Sequence, residues 1–456
     1  MKIKNLILFF GLVAAMASCR KDVFLTDSSA KLNFSRDTLT FDTVFTSIGS
    51  ATRYFKIYNH HNKKIKISDI KLAGGVDSHF RINVDGISGI EAKDVEIAAN
   101  DSLYIFAAVT VDPNNDATPF VIEDSILFST NGNNQKVLLN AFGQNAHFIY
   151  DSVFRNDQHW VNDLPYVIIN SMLVLRGITL TIDPGVHIYS HPGSQIYMLG
   201  TMLANGTAGD SIIFQGDRLE QYFIDLPGRW SGIHFLKGSM NNVLKYTVIK
   251  DADVGVRVDS LSDNPPTPNL ILQQVVIKNM LYSGILGINA MIHGENVLVY
   301  NCGQNNCFQN ILGGYYIFDN CTFADYSNVA INHQEPAVYL SDYYSVDNQI
   351  QSAAQCSAVF NNCIIYGGLQ EELSVDFLVP NTFSTATFNS CVVKSDSTLD
   401  GNPLNQDPLF EDYTTDKYKL LDGSPCLGTG FNDGITIDLV GNLRTLPYDI
   451  GCYEKQ

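Results

Sequence analysis

The stretch from Leu175 to Phe235 limits the fold more than any other part of the chain. From Arg176 it reads RGITLTIDPGVHIYSHPGSQIYMLGTMLANGTAGDSIIFQGD and then, after a loop, GRWSGIHF. Leu180, Ile182, Ile196, Met198, Met202 and Ala204 fall on alternate positions, with Gly200 and Gly206 in phase. A period of two places one side chain in every pair on the same face, which is the signature of a half-buried strand. Asp183-Pro184-Gly185 and His191-Pro192-Gly193 interrupt the alternation with turn chemistry. Short strands closed by tight turns are expected to stack.

After Phe235 the same design repeats. KYTVIKD (Lys245–Asp251), QQVVIKN (Gln273–Asn279), ENVLVYN (Glu295–Asn301), DNCTFAD (Asp319–Asp325), NNCIIYG (Asn361–Gly367) and NSCVVKS (Asn389–Ser395) place an apolar marker at Ile249, Ile277, Val299, Phe323, Ile365 and Val393. Most of the gaps are about twenty to thirty residues, one repeat of a stacked architecture. The gap from Phe323 to Ile365 is twice that and holds either a second coil or an insertion around Tyr339 to Gln355. A second strand is expected at Gly255-Val256, Gly284-Ile285, Asn310-Ile311 and Ala330-Ile331.

The succession TLTIDPGV, GTMLANGT and WSGI resembles the opening coils of pectin-lyase-like right-handed parallel β-helix proteins. That resemblance implies a β-helix over 175–400, entered through a linker and N-terminal cap over 149–174 that contains Trp160 and Pro165. The tail over 401–456, with DPLF, GSPCLGTG and DIGCYE, resembles a terminal segment of secreted β-helix proteins and implies a capping role. Cys426 and Cys452 stand where that segment usually carries alanine, and the paired departure implies a disulfide between them. Cys321, Cys363 and Cys391 occupy equivalent repeat positions and are expected to be buried core thiols. Cys302 and Cys307 bracket a short loop and are placed to pair. No zinc spacing is present: C-x-x-C units and matching histidines are missing.

Ahead of this region, residues 30–148 carry short alternating strands separated by turns, including LNFSRDTLTFDTVF, KKIKISDIKL and DSLYIFAAVTVDP. They read as a β-sandwich and resemble immunoglobulin-like domains of the ASPM/SPD-2/hydin kind, which implies a spacer or interaction module. The fold class is therefore all-β, a sandwich followed by a parallel β-helix and a capping segment.

Residues 1–19 have the form of an export signal, with Lys2 and Lys4, an apolar run Leu6–Ala15, and Met16-Ala17-Ser18-Cys19. The end resembles the bacterial lipobox, which implies a lipidated Cys19, a tether over 20–29 and a location in the bacterial cell envelope, held to a membrane by the lipid. The formal net charge of −18 opposes binding to nucleic acid.

The resemblance to β-helix proteins implies a polysaccharide ligand, held in the long groove that stacked strands make along one face, and three chemistries compete for it. A polyuronate lyase needs a base and a cation to neutralise the substrate carboxylate. From Asn279 through Val393 the chain has no lysine or arginine but nine carboxylates, so a polyanion needs bridging Ca²⁺ there; no other cofactor is implied. A glycosidase needs two carboxylates at a set separation. Asp251 and Asp253 are two residues apart, about 6.6 Å on one face of a strand. His293 with Glu295, and His333 with Glu335, repeat a histidine–acid pair at that offset. Asp251, Asn279, Asn301 and Asp325 also form a column two residues after the marker, where stacked Asn and Asp commonly satisfy backbone groups. Non-catalytic binding is the third class, with Tyr339, Tyr343 and Tyr344 as sugar-stacking aromatics and Arg257 as a cationic contact. Binding of a glycan or another envelope component leads; polysaccharide cleavage, by hydrolysis before elimination, is the alternative.

Overall fold

A computed structural model describes residues 23–113, 119–220, 222–260, 267–347, 349–378, 384–397, 399 and 405–456. Cys19 and the export signal lie outside the described residues. The chain divides into two compact units, 1–145 and 146–456. All long-range order is in strands, and no described helix is long and apolar enough to cross a membrane.

Among the described residues the first unit has ten strands in two five-stranded sheets. Alternation builds it: in Ile65–Leu72, Ile65, Ile67, Ile70 and Leu72 are buried while Lys66, Ser68 and Lys71 face solvent. Phe41, Phe55, Phe80 and Phe128, from both sheets, meet in one core. Pairing between these strands is antiparallel except where Asn133–Gln144 runs parallel to Thr38–Phe45. Strands Phe80–Val84, Ile87–Gly89 and Glu91–Ile97 were not among those read from the sequence. The described part of the expected tether is docked: Phe24 bridges to Lys64, and Leu25 N–H donates to the Lys64 carbonyl at 2.8 Å.

The second unit begins earlier than the sequence suggested. His147–Phe154, Gln158–Trp160 and Tyr166–Val174 pair in parallel with later strands, so the expected linker is already part of the stack. A single 22-stranded sheet continues from there to Val393, with parallel pairings throughout. The chain thus returns, one repeat later, to lie beside its previous pass, and each such layer is a rung.

The apolar marker column is realised residue by residue. Ile249 is opposite Ile277, Ile277 opposite Val299, Val299 opposite Phe323, Phe323 opposite Ile365 and Ile365 opposite Val393. All six are buried, and each such side chain contributes about 1.5–3 kcal/mol on burial. Direct pairing of Phe323 with Ile365 shows that the double gap is an insertion. It holds strand Val338–Ser341 and an antiparallel hairpin, Tyr343–Val346 with Gln349–Ala353. The second strand of that rung is Val338–Ser341, not Ala330-Ile331. Cys321, Cys363 and Cys391 stack in the core, where Cys321 and Cys363 each donate a backbone N–H to the next Sγ at 3.4 Å.

The tail departs from its expected place. Phe410, Tyr418, Leu420, Leu439 and Ile450 pack on the outward residues Leu298, Tyr300, Ala324, Ile364 and Val392, so the tail covers a side of the stack. Strands under it are buried on both faces, which removes their alternation. Arg444, buried, fastens it by donating to Asn296 Oδ1 at 2.6 Å and to the Gly451 carbonyl at 2.8 Å. The disulfide expected in this tail is not formed. Cys426 and Cys452 are free, buried thiols filling the apolar seam, a role that needs only small apolar bulk.

Candidate functional site

Each polar column on the outside of the stack inherits its geometry from the strand register. One runs Tyr197, His234, Arg257, Leu286, Gln309, Tyr339, Ser374, each residue opposite the next. At Tyr339 the inserted hairpin stands beside this column and converts an open face into a cavity of about 360 Å³. Glu335, Tyr339, Tyr343 and Tyr344 line it together with Asn305 and Gln309. The structure therefore brings four of the sequence-derived candidates to one place.

The tyrosines are held by a carboxylate that the sequence reading missed. Asp376 Oδ2 accepts from the Tyr343 hydroxyl at 2.6 Å and from the Tyr339 hydroxyl at 3.2 Å. The bond to Asp376 pushes the Tyr343 phenol up to about 12. Both rings are thereby fixed as neutral hydrogen-bonding groups, while Tyr344 remains 48% exposed with its ring free for stacking. Glu335 is exposed at the rim. Only the pairing of Ser341 with Asp376 in the folded sheet reveals this acid.

Arg257 lies on the same column but three strands away, about 14 Å at ordinary strand spacing. Its Nε donates to Asp259 Oδ1 at 2.8 Å, and His234 Nε2 lies 2.7 Å from Oδ2 of the same carboxylate. Arg257 is thus engaged outside the tyrosine cavity.

Asp251 and Asp253 are not a same-face strand pair. Strand Asn242–Lys250 has already ended, and Asp251 has φ +65°, a left-handed conformation that breaks the two-residue alternation. Asn279 and Asn301 adopt the same conformation, at +58° and +56°. Asn279 Nδ2 donates to Asp251 Oδ1 at 3.3 Å, and Asn301 Nδ2 to Asn279 Oδ1 at 3.2 Å, a buried ladder with a structural task. Desolvation raises the Asp251 carboxyl to about 6 despite Lys250 nearby. Desolvation also raises Asp253, which is half-buried.

His293 and Glu295 sit on another face. His293 Nε2 is 2.8 Å from Asp319 Oδ2 and only 3.7 Å from Glu295, so its main partner is Asp319, whose hydrogen bond raises the imidazole. Glu295 accepts from Gln273 Nε2 at 2.9 Å, in a register column Lys245, Gln273, Glu295, Asp319, Asn361, Asn389. His333 reverses its expected position. It is 5% exposed and stands between Asp325, at 3.2 Å, and Glu372, at 3.0 Å, while Glu335 points to the cavity rim. Of the two sequence pairs, His293 and Glu295 are within ion-pair distance beside the closer Asp319, whereas His333 and Glu335 are not paired.

No protein-family model matches the chain, and no curated protein matches it. Among solved structures, a family 123 glycoside hydrolase from Clostridium perfringens aligns at 8% identity over 25% of this chain and 26% of its own, with a TM-score of 0.18. The PapD-like domain 7 of human CEP192 aligns at 10% identity over 25% of this chain and 85% of its own, also at 0.18. A protein of unknown function from Porphyromonas gingivalis W83 aligns at 11% identity over 27% of this chain and 60% of its own, again at 0.18. These partial likenesses leave the chemistry to be read from the residues themselves.

Proposed function

We propose that this chain is a lipid-anchored cell-envelope protein that binds extracellular glycan without cleaving it. In this reading residues 30–145 form an immunoglobulin-like spacer and 146–400 a right-handed parallel β-helix that presents the binding face. The observation that carries it is the cavity beside Tyr339, where aromatic rings, an exposed carboxylate and amide side chains meet on a rigid sheet. Sugar rings present apolar faces and equatorial hydroxyls, which such a lining meets by stacking and hydrogen bonding. The lipid on Cys19 would hold the binder at the membrane, since acyl chains contribute about 0.8 kcal/mol per buried methylene.

Cleavage has one observation in its favour: Glu335 and the Asp376 carboxylate border the same tyrosine cluster. Incubation of the protein with neutral, uronic and sulfated polysaccharides, with and without Ca²⁺, separates the readings when binding and chain length are followed together. Binding with intact chains, weakened in Tyr344→Ala, is the expected result. Chain shortening abolished by Glu335→Gln would replace binding with catalysis, and new reducing ends without unsaturation would mark hydrolysis.

A further inference from the structure

Cys302 ends strand Leu298–Cys302, and Cys307 immediately precedes strand Phe308–Asp319, so one short loop turns both thiols into the core. Asp325, at the end of Thr322–Asp325 on the next rung, brings a carboxylate to the same point. The two sulfurs and a carboxylate oxygen of Asp325 all lie within 4.8 Å of one another, and all three residues are buried. A carboxylate withdrawn from water costs several kcal/mol unless a cation or hydrogen bonds compensate it.

The compensation is incomplete in a directed way. Asp325 Oδ1 accepts the Cys302 N–H at 2.9 Å, but Oδ2 has no hydrogen-bond partner. His333 Nδ1 is likewise unpartnered and lies 3.2 Å from that oxygen, close enough for an ion pair but without hydrogen-bond geometry. The other ring nitrogen, Nε2, is 3.0 Å from Oε2 of the buried Glu372, which also accepts the Ala337 N–H at 3.0 Å.

We propose that Cys302, Cys307 and Asp325 form an internal site for a divalent cation of the zinc class. Two thiolates with one carboxylate favour zinc over calcium or magnesium, which prefer oxygen ligands throughout. The ion ties the loop between two strands to the next rung. It is separate from the glycan reading and survives its failure.

Elemental analysis of protein purified under reducing conditions without chelator tests the site. About one zinc per chain is expected, and cobalt substitution should give thiolate-to-cobalt charge-transfer absorption. Cys302→Ser combined with Cys307→Ser should remove both signals, whereas Cys426→Ser should keep them. If the double variant does not fold, the cobalt spectrum of the unaltered protein decides. Three results would overturn the proposal: no uptake of zinc or cobalt with the thiols reduced, metal content unchanged in the double variant, or non-reducing peptide mapping that finds Cys302 and Cys307 joined as a disulfide in protein isolated without reductant.

Discussion

The ladder Asp251–Asn279–Asn301 and the cavity beside Tyr339 use polar groups on successive rungs in opposite ways. In the ladder each side chain is the partner of the one above it, and all three are buried. In the cavity the repeat is interrupted by the inserted hairpin, and Tyr344 and Glu335 are left facing outward. Periodicity lets identical polar groups satisfy one another; an interruption leaves groups available for a ligand. Asp325 shows the boundary case. It occupies the ladder position of its rung, yet turns its carboxylate to the Cys302 N–H and His333.

Breaking the ladder should have the largest effect. Asn279→Ala removes hydrogen bonds at a fully buried position and puts alanine in a left-handed conformation, so unfolding free energy should fall by about 2–3 kcal/mol in denaturant titration. Loss below about 0.5 kcal/mol would mean that the ladder is ornamental. Tyr344→Ala should do the reverse, leaving stability within about 0.5 kcal/mol and weakening glycan binding about tenfold, some 1.4 kcal/mol. Titration calorimetry beside thermal melts separates the two.

Asp251→Asn sharpens the contrast further. A carboxyl raised to about 6 contributes its stabilisation below the unfolded value, near 3.8, and loses it as pH rises through about 6. Asparagine keeps the uncharged acceptor at every pH, so the variant should match the unaltered protein below about pH 4 and exceed it by about 1–2 kcal/mol at pH 7. The bound is kept low because Lys250 loses a partner. Glycan cleavage that vanished in this variant would instead make Asp251 catalytic. The smallest effect is expected at His293. Its raised imidazole contributes stability present below about pH 6.5 and lost as pH rises through the folded value. His293→Gln should flatten that alkaline decline by about 0.5 kcal/mol, as expected for a partly exposed pair.

The marker column from Ile249 to Val393 was legible because burial on one face imposes a period of two, and stacking imposes a repeat of nearly constant length. The insertion was visible as a doubled gap, and the tyrosines within it as candidates. Asp376 was not, since it reaches Tyr339 only through the pairing of two strands more than thirty residues apart. The His333–Glu335 offset misled for a related reason: His333 lies outside any strand, and its loop folds inward to Asp325 and Glu372. The side position of the tail was equally hidden, because DIGCYE states what packs but not on which face.

By itself the sequence determined the all-β character, the two-part organisation and the inward column, since each follows from local alternation and repeat length. Tertiary structure alone decided where the second unit starts, which face the tail covers, and which acid meets which histidine or tyrosine. Those choices depend on register between distant strands, and a shift of one residue would turn every side chain to the opposite face.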